Sequence, residues 1–327
     1  MTPEDTARQF DVAVIGAGAA GLSAAVALGR ARRAVIVLDD SSPRNAPAHG
    51  VHNYLTRDGM PPAEFLAAGR REAERYGALI LSDEATGARR RDDAFEVTTA
   101  GAEAVLARRL LVSTGLADEL PGVPGVRELW GRQVVHCPYC DGWEIAGQAT
   151  GVLGSGPMAV HQAFLFRQWT SDLVLFVHTA PPPTPEEAGQ LAARGIRVVT
   201  GLVERLDTAG GRLTGVRMQA GRVIARTVMV VAPRMVARSH VLGSLGLHPV
   251  PHPLGKEAGE LIESDPNGRT AVPGVWVAGN VTDIQAQVIT AASQGLAAAA
   301  AINADLIAEE NRVAVEHARA RDSAGTR

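Results

Sequence analysis

The chain runs to 327 residues, 46% hydrophobic and 20% charged, a length and balance that suit a globular protein of two domains. Its formal net charge of −3 removes the electrostatic case for a nucleic-acid or anionic-membrane partner. No apolar run reaches ~18 residues without polar breaks, and the acidic, polar opening MTPEDTARQF lacks a signal peptide's apolar core, so no membrane span and a cytoplasmic location are expected.

Residues 10–40 read as strand, glycine turn, helix and strand: an apolar strand at 11–15, a turn holding Gly16, Gly18, Ala19 and Gly21, a helix over 22–29, and a second strand over 34–38 that ends at Asp39 and Asp40. This is the βαβ pattern of a dinucleotide site. The first glycine permits the tight turn, the second lets a pyrophosphate approach the backbone, and the third lets helix and strand pack closely. Phosphate then rests on the helix N-terminus, and Asp39 can accept hydrogen bonds from a ribose diol. The stretch SSPRNAPAHG that follows reads as a loop, with Arg44 and Asn45 placed to touch phosphate or ribose. His49 and His52 lie just beyond it, between the adenine-side acid and Asn53. GARRRDDAF, residues 87–95, reads as a solvated turn. LLVSTG, residues 110–115, reads as another short strand ending in small residues.

Pro121-Gly122-Val123-Pro124-Gly125 reads as a hinge leading into an inserted domain, and residues 247–255, with three prolines, as the return. Near the start of the insert comes HCPYCDGWE, which holds the only two cysteines of the chain, Cys137 and Cys140. In a chain without an export signal, one CxxC points to redox or metal chemistry. Half a zinc site is a poor reading, because no further cysteine exists and His136 alone does not complete the set. Disulfide exchange needs a thiolate, and His136 and Asp141 flank the pair as candidates to manage its protons. A plain core histidine and a helix-capping aspartate are the bland alternatives.

The glycine pattern partly repeats at Gly154, Gly156 and Ala159, followed by a helix and a strand over 173–177. Here the strand ends in His178-Thr179-Ala180 and three prolines, with no acid for a ribose diol and no arginine cluster for a 2′-phosphate. Pro157 removes an N–H from the loop meant to hold phosphate. The unit therefore reads as a Rossmann-like fold with a degenerate nicotinamide site. Residues 271–303 give a strand, Gly279-Asn280 and a long Ala-rich helix, and beyond about 307 an exposed helix and a frayed tail are expected.

In order, GAGAAG, STG, CxxCDG, GxGxxA and AGN with its Ala-rich helix resemble the low-molecular-weight thioredoxin reductase family over nearly the whole chain. The resemblance implies an α/β fold of two Rossmann-like (FAD/NAD(P)-binding) domains, the second inserted into the first: residues 1–120 and 248–327 for one, 121–247 for the other. It implies FAD and a homodimer. Cys140 would lie against the flavin, Cys137 would exchange disulfides with substrate, and Asp141 would act as acid or base. Gly16, Gly18, Gly21 and Asp39 would hold the ADP half, and Asn53, Thr114, Gly115, Gly279, Asn280, Gln287 and Val288 the flavin half. Three departures mark a branch: Asn280 where the family carries an acid, no H-R-R-x-x-x-R cluster for NADPH, and Cys-Pro-Tyr-Cys preceded by His136. They resemble the dithiol oxidases that close the disulfides of gliotoxin, holomycin and romidepsin, the holomycin type most closely. The resemblance thus implies oxidation of a small-molecule dithiol, with electrons passing through FAD to dioxygen and hydrogen peroxide released. It also implies a pocket beside Cys137 with an aromatic wall drawn from Tyr139 or Trp143. A thioredoxin reductase fed by NADPH or ferredoxin, and a non-enzymatic flavin-binding redox sensor, remain as alternatives.

Overall fold

Continuous aliphatic runs build the parallel strands of two sheets in the computed structural model, which describes residues 9–101 and 104–325. The first eight residues, on which the reading of the N-terminus bears, lie outside the described residues. In the first sheet, Leu79–Leu81, Val35–Leu38, Gln9–Ile15 and Val105–Val112 follow one another in parallel. Val275–Val277 joins the far end of Val105–Val112, also in parallel. The central strands are buried on both faces, which is why they read as unbroken apolar runs. Alternate residues serve two cores. Ala13, Ile15, Ile36 and Leu110 face one. Val12, Val14, Val35 and Trp276 face the other, beneath the helices Ala19–Arg30 and Val288–Gly325. Small residues let those two helices meet closely: a Cβ on Gly295 would lie 2.0 Å from the carbonyl oxygen of Ala20.

The second sheet runs Arg197–Val199, Leu173–Phe176, Thr150–Leu153, Val228–Val230, Val134–Val135, all parallel. Helices Ala159–Phe166 and Pro185–Ala193 cover one face, the latter started by a capping box between Thr184 and Glu187. The antiparallel strands Val203–Ala209, Arg212–Met218 and Val223–Ile224 cover the other. These are two Rossmann-like domains, the second inserted into the first.

The chain leaves the first domain along Leu116–Glu119 and returns along Arg234–Ala237, and the two strands pair antiparallel. The return therefore comes earlier than residues 247–255, since Val241, Leu242 and Leu247 already pack in the first domain's core. Within 247–255, Val250–Pro251 pairs instead with Glu260–Leu261. Residues 87–95 are not one solvated turn: Ala85–Arg91 and Ala94–Thr99 form a hairpin, and only Asp92 and Asp93 turn. Arg89 and Arg91 grip Glu96, at 2.7 and 3.2 Å, so the arginine run serves a cross-strand ion cluster. Past residue 307 the last helix continues unbroken to Gly325, exposed on its surface. Arg108 and Arg109 tether it through Glu309 at 3.1 Å and Asp305 at 2.6 Å. Among the described residues, no helix is long and apolar enough to cross a membrane.

Candidate active site

The first glycine turn builds one end of the site, and each glycine is there for a different reason. Gly16 sits at φ +101°, and a Cβ on it would lie 2.6 Å from the carbonyl oxygen of Ser113. A Cβ on Gly21 would strike the Gly16 carbonyl oxygen at 1.9 Å, so this glycine packs the helix onto the turn. Gly18, the N-cap of Ala19–Arg30, has nothing within 4 Å of where a Cβ would be. That open space lies over the helix's first N–H groups, which have no carbonyl a turn earlier to bond. Asp39 stands beside it: one carboxylate oxygen accepts from the Ala17 N–H at 2.8 Å, and the other is paired with Arg70. Arg70, on the amphipathic helix Pro62–Arg75, carried no signal in the sequence.

The opposite wall comes from the C-terminal ends of other strands. Thr114 fixes its turn by donating its hydroxyl to the Arg238 carbonyl at 2.6 Å, and Gly115 follows at φ +71°. Gly279, Asn280, Gln287 and Val288 line the same wall. The Asn280 amide donates to the carbonyls of Asp283 and Ala286, both at 2.9 Å, so its NH2 is turned inward and only its oxygen remains for a ligand. Asn45 lines the wall as well. Arg44 lines it too, and its guanidinium is anchored by a bidentate pair with Asp118, whose side chain is buried, 2.7 Å on each arm. Asn53 corrects an expectation: it does not line the cleft, is exposed, and donates its amide to the Tyr139 carbonyl at 2.7 Å.

Cys137 and Cys140 are joined in a disulfide on the short helix Pro138–Asp141, their Cα atoms 5.2 Å apart. Burial, reinforced by Glu144, raises the Asp141 carboxyl from 3.8 to about 6, against the opposing pull of His52 and the Cys137 N–H. A carboxyl poised there can take and return protons near neutral pH. His136 behaves differently from expectation. Its ring packs on Trp130 at 5.6 Å, part of its surface stays open to the cleft, and burial together with the Arg44 charge lowers its pKa to about 4. It is neutral at physiological pH and has no proton to give. Tyr139 lines the cleft and meets Trp169 edge-on at 6.4 Å, whereas Trp143 lies outside it, 80% exposed. Among the described residues, no cluster of three or more His, Cys, Asp or Glu could hold a metal ion.

One cleft of about 1740 Å³ holds all of this: the first glycine turn and Asp39 at one end, both cysteines and Asp141 further along. A dinucleotide cradle and a redox disulfide thus face the same space. Residues 10–295 match the family model for pyridine nucleotide-disulphide oxidoreductases. The chain belongs to that family. It is similar to the thioredoxin reductase tcpT of Claviceps purpurea, 30% identical over 94% of this chain and 97% of that protein. It is also similar to the thioredoxin reductase sirT of Leptosphaeria maculans, 30% identical over 90% and 93%. Among solved structures, that of HlmI superposes with a TM-score of 0.87 at 44% identity, covering 95% of this chain and 96% of that one. This is a thioredoxin reductase-like disulfide oxidoreductase with a flavin cofactor. The residues present fit a flavin nucleotide, because the space above Gly18 is a cradle that a side chain would fill.

The second glycine turn is different. Gly154, Ser155 and Gly156 follow the strand Thr150–Leu153, and the segment after Leu173–Phe176 folds back onto Gly154. The N–H groups of Thr179 and Ala180 both donate to the Gly154 carbonyl at 3.0 Å. Val177, where the first unit has Asp39, is buried and apolar, and His178 beside it adopts φ +46° and accepts from the Val203 N–H through Nδ1 at 3.0 Å. Neither side chain is a carboxylate, so no acid stands there for a ribose diol.

Proposed function

We propose that this chain is an FAD-dependent dithiol oxidase that closes an intramolecular disulfide in a small molecule. One observation carries the reading: the Cys137–Cys140 disulfide opens onto the flavin-nucleotide cleft, while the second glycine turn has the buried Val177 at the position where a ribose acid would stand. FAD suits the cleft because the glycine turn with Asp39 and the redox disulfide line the same space. Gly16, Gly18, Ala19, Gly21 and Asp39 hold its ADP half. Thr114, Gly115, Gly279, Asn280, Gln287 and Val288 hold the flavin half. Once bound, FAD would supply an acceptor for an electron pair, with dioxygen as the final oxidant and hydrogen peroxide as its product.

The chain's own residues handle the sulfur chemistry. A substrate thiolate attacks Sγ of Cys137, the Cys137–Cys140 bond breaks, and Cys140 leaves as a thiolate. The second substrate thiol loses its proton and displaces Cys137, giving the product disulfide and a reduced pair that has gained two electrons. Asp141, with a pKa of about 6, is mostly ionised at neutral pH and takes up the proton released. Because Cys137 and Tyr139 line the cleft, a small dithiol reaches the disulfide without any domain movement. We also propose a homodimer, supported by Ile289, Leu296 and Ile307, which stay exposed along the last helix. A cytoplasmic setting, where thiols are kept reduced, suits such a substrate.

An oxygen electrode tests the reading. Purified yellow protein given dithiothreitol consumes oxygen and releases an equal amount of peroxide, and NADPH changes neither. A second reading, an NADPH-dependent thioredoxin reductase, is favoured by the names of the relatives and by Gly156, where the second turn also leaves open space. NADPH oxidation coupled to reduction of a thioredoxin would establish that reading in place of the first.

A further inference from the structure

Residues 51–60 form a loop of the first domain, closed at its base by an antiparallel bridge between Val51 and Met60. Asp58 organises its interior. One carboxylate oxygen accepts from the Asn53 N–H at 2.9 Å, and the other lies 3.4 Å from His52 Nδ1. Asn53 is held at φ +59°, in the left-handed region that asparagine tolerates better than most residues. That backbone turn sends two adjacent side chains across to the inserted domain. Asn53 Nδ2 donates to the Tyr139 carbonyl at 2.7 Å, and His52 Nε2 lies 3.4 Å from Glu144 Oε1. The Tyr139 carbonyl sits between the two cysteines in the chain, and no backbone N–H among the described residues bonds to it. Asn53 therefore satisfies a carbonyl of the disulfide helix, between the two cysteines, that the backbone leaves open.

We propose that His52 and Asn53 form an interdomain latch that holds the disulfide helix with its sulfurs toward the flavin, and are thus positioning residues for electron transfer. The inference rests on the dithiol oxidase reading only in taking the flavin as the acceptor of the electron pair. Latching suits a small substrate that comes to the disulfide through the cleft. Any bulky protein dithiol would need the latch undone.

The test uses the FAD-bound protein under anaerobic conditions with dithiothreitol as reductant. Dithiothreitol opens the protein disulfide, becoming a cyclic disulfide itself, and the two electrons left on the cysteines then move to the flavin. Thiol formation is followed by quenching with a small maleimide and mass spectrometry, and electron transfer by loss of flavin absorbance. Asn53→Gly removes the donor without straining the left-handed backbone. Asn53→Asp keeps the shape but sets an acceptor against the carbonyl. Both are expected to form thiols at the wild-type rate yet bleach the flavin ~10–100-fold more slowly, the scale set by ångström-level misplacement of reacting groups. Their reduced cysteines are also expected to react faster than wild type with a polymer-bearing maleimide too large for the cleft. His52→Gln shifts both readouts in the same direction by less. Wild-type bleaching in both Asn53 variants, or equal slowing of thiol formation and bleaching, would overturn the latch. If dithiothreitol fails to bleach even the wild-type flavin, the oxidase reading falls instead. The polymer-maleimide comparison then still decides the latch, and equal labelling in all variants counts against it.

Discussion

Replacing Asp141 by Asn separates the proton chemistry of the site from its architecture, and two independent readouts follow from one number. Burial and the neighbouring Glu144 carry this carboxyl from 3.8 to about 6 in the folded protein. Between those values the native state holds a proton that the unfolded chain has released. The stability this group contributes is therefore complete below pH 3.8 and lost as pH rises through 6. A gap of about 2 pKa units is worth up to about 3 kcal/mol at 1.36 kcal/mol per unit. Asn carries no such penalty, so Asp141→Asn is expected to be the more stable protein at pH 8, by up to about 3 kcal/mol. In a protein of this size that corresponds to roughly 4 °C in Tm, at about 2.1 cal/mol/K of unfolding entropy per residue. The advantage shrinks on going from pH 6 to pH 4. Thermal melts of both FAD-bound proteins across pH 4–8 measure it. Activity moves the opposite way: dithiol-driven bleaching of the flavin falls by roughly 10²–10⁴-fold, the usual worth of a positioned general base. The wild-type rise in rate through pH 6 disappears. A Tm difference that stays constant with pH, or an acid limb that survives the substitution, refutes the assignment.

Other substitutions probe neighbouring parts of the site. Glu144→Gln removes the second cause of the raised Asp141 carboxyl, so the acid limb of the pH–rate profile moves to lower pH. His136 is held neutral with a pKa of about 4, so the wild type loses stability as pH falls from 6.5 toward 4; His136→Gln, which has no proton to bind, loses less in acid melts and keeps its rate profile unchanged between pH 7 and 9. A Cβ at Gly18 meets no protein atom within 4 Å, so Gly18→Ala keeps the wild-type far-UV circular dichroism while flavin affinity, read by flavin fluorescence, falls. Gly21→Ala, which meets a backbone oxygen at 1.9 Å, instead lowers the melting temperature of the apoprotein.

The first βαβ unit was legible because its chemistry is local: turn, helix start and ribose acid lie within thirty residues, and the strand Gln9–Ile15 and helix Ala19–Arg30 fall where the glycine spacing puts them. The disulfide pair was legible because the chain has no other cysteine. Contacts made between distant segments were not. Arg44 looked free for phosphate, and only the fold brings Asp118, seventy-four residues away, onto its guanidinium. Asn53 carried a family position near the flavin, but the αL turn that aims it at Tyr139 depends on Asp58 and on the docking of the other domain. The arginines of residues 87–95 looked like solvated charge because their partner Glu96 lies across a hairpin that apolar alternation marks only weakly. Arg70 and Glu144 gave no signal, since charge on an amphipathic helix or after a short turn is usual for solvated surface.

An anaerobic titration of the purified yellow protein tests the central claim most directly. The account predicts that one equivalent of a small dithiol bleaches the flavin in wild type but not in Cys140→Ser, that NADPH leaves the spectrum untouched, and that admitting air restores the colour with one equivalent of hydrogen peroxide. Rapid bleaching by NADPH, or a flavin that no dithiol can reduce, would contradict it.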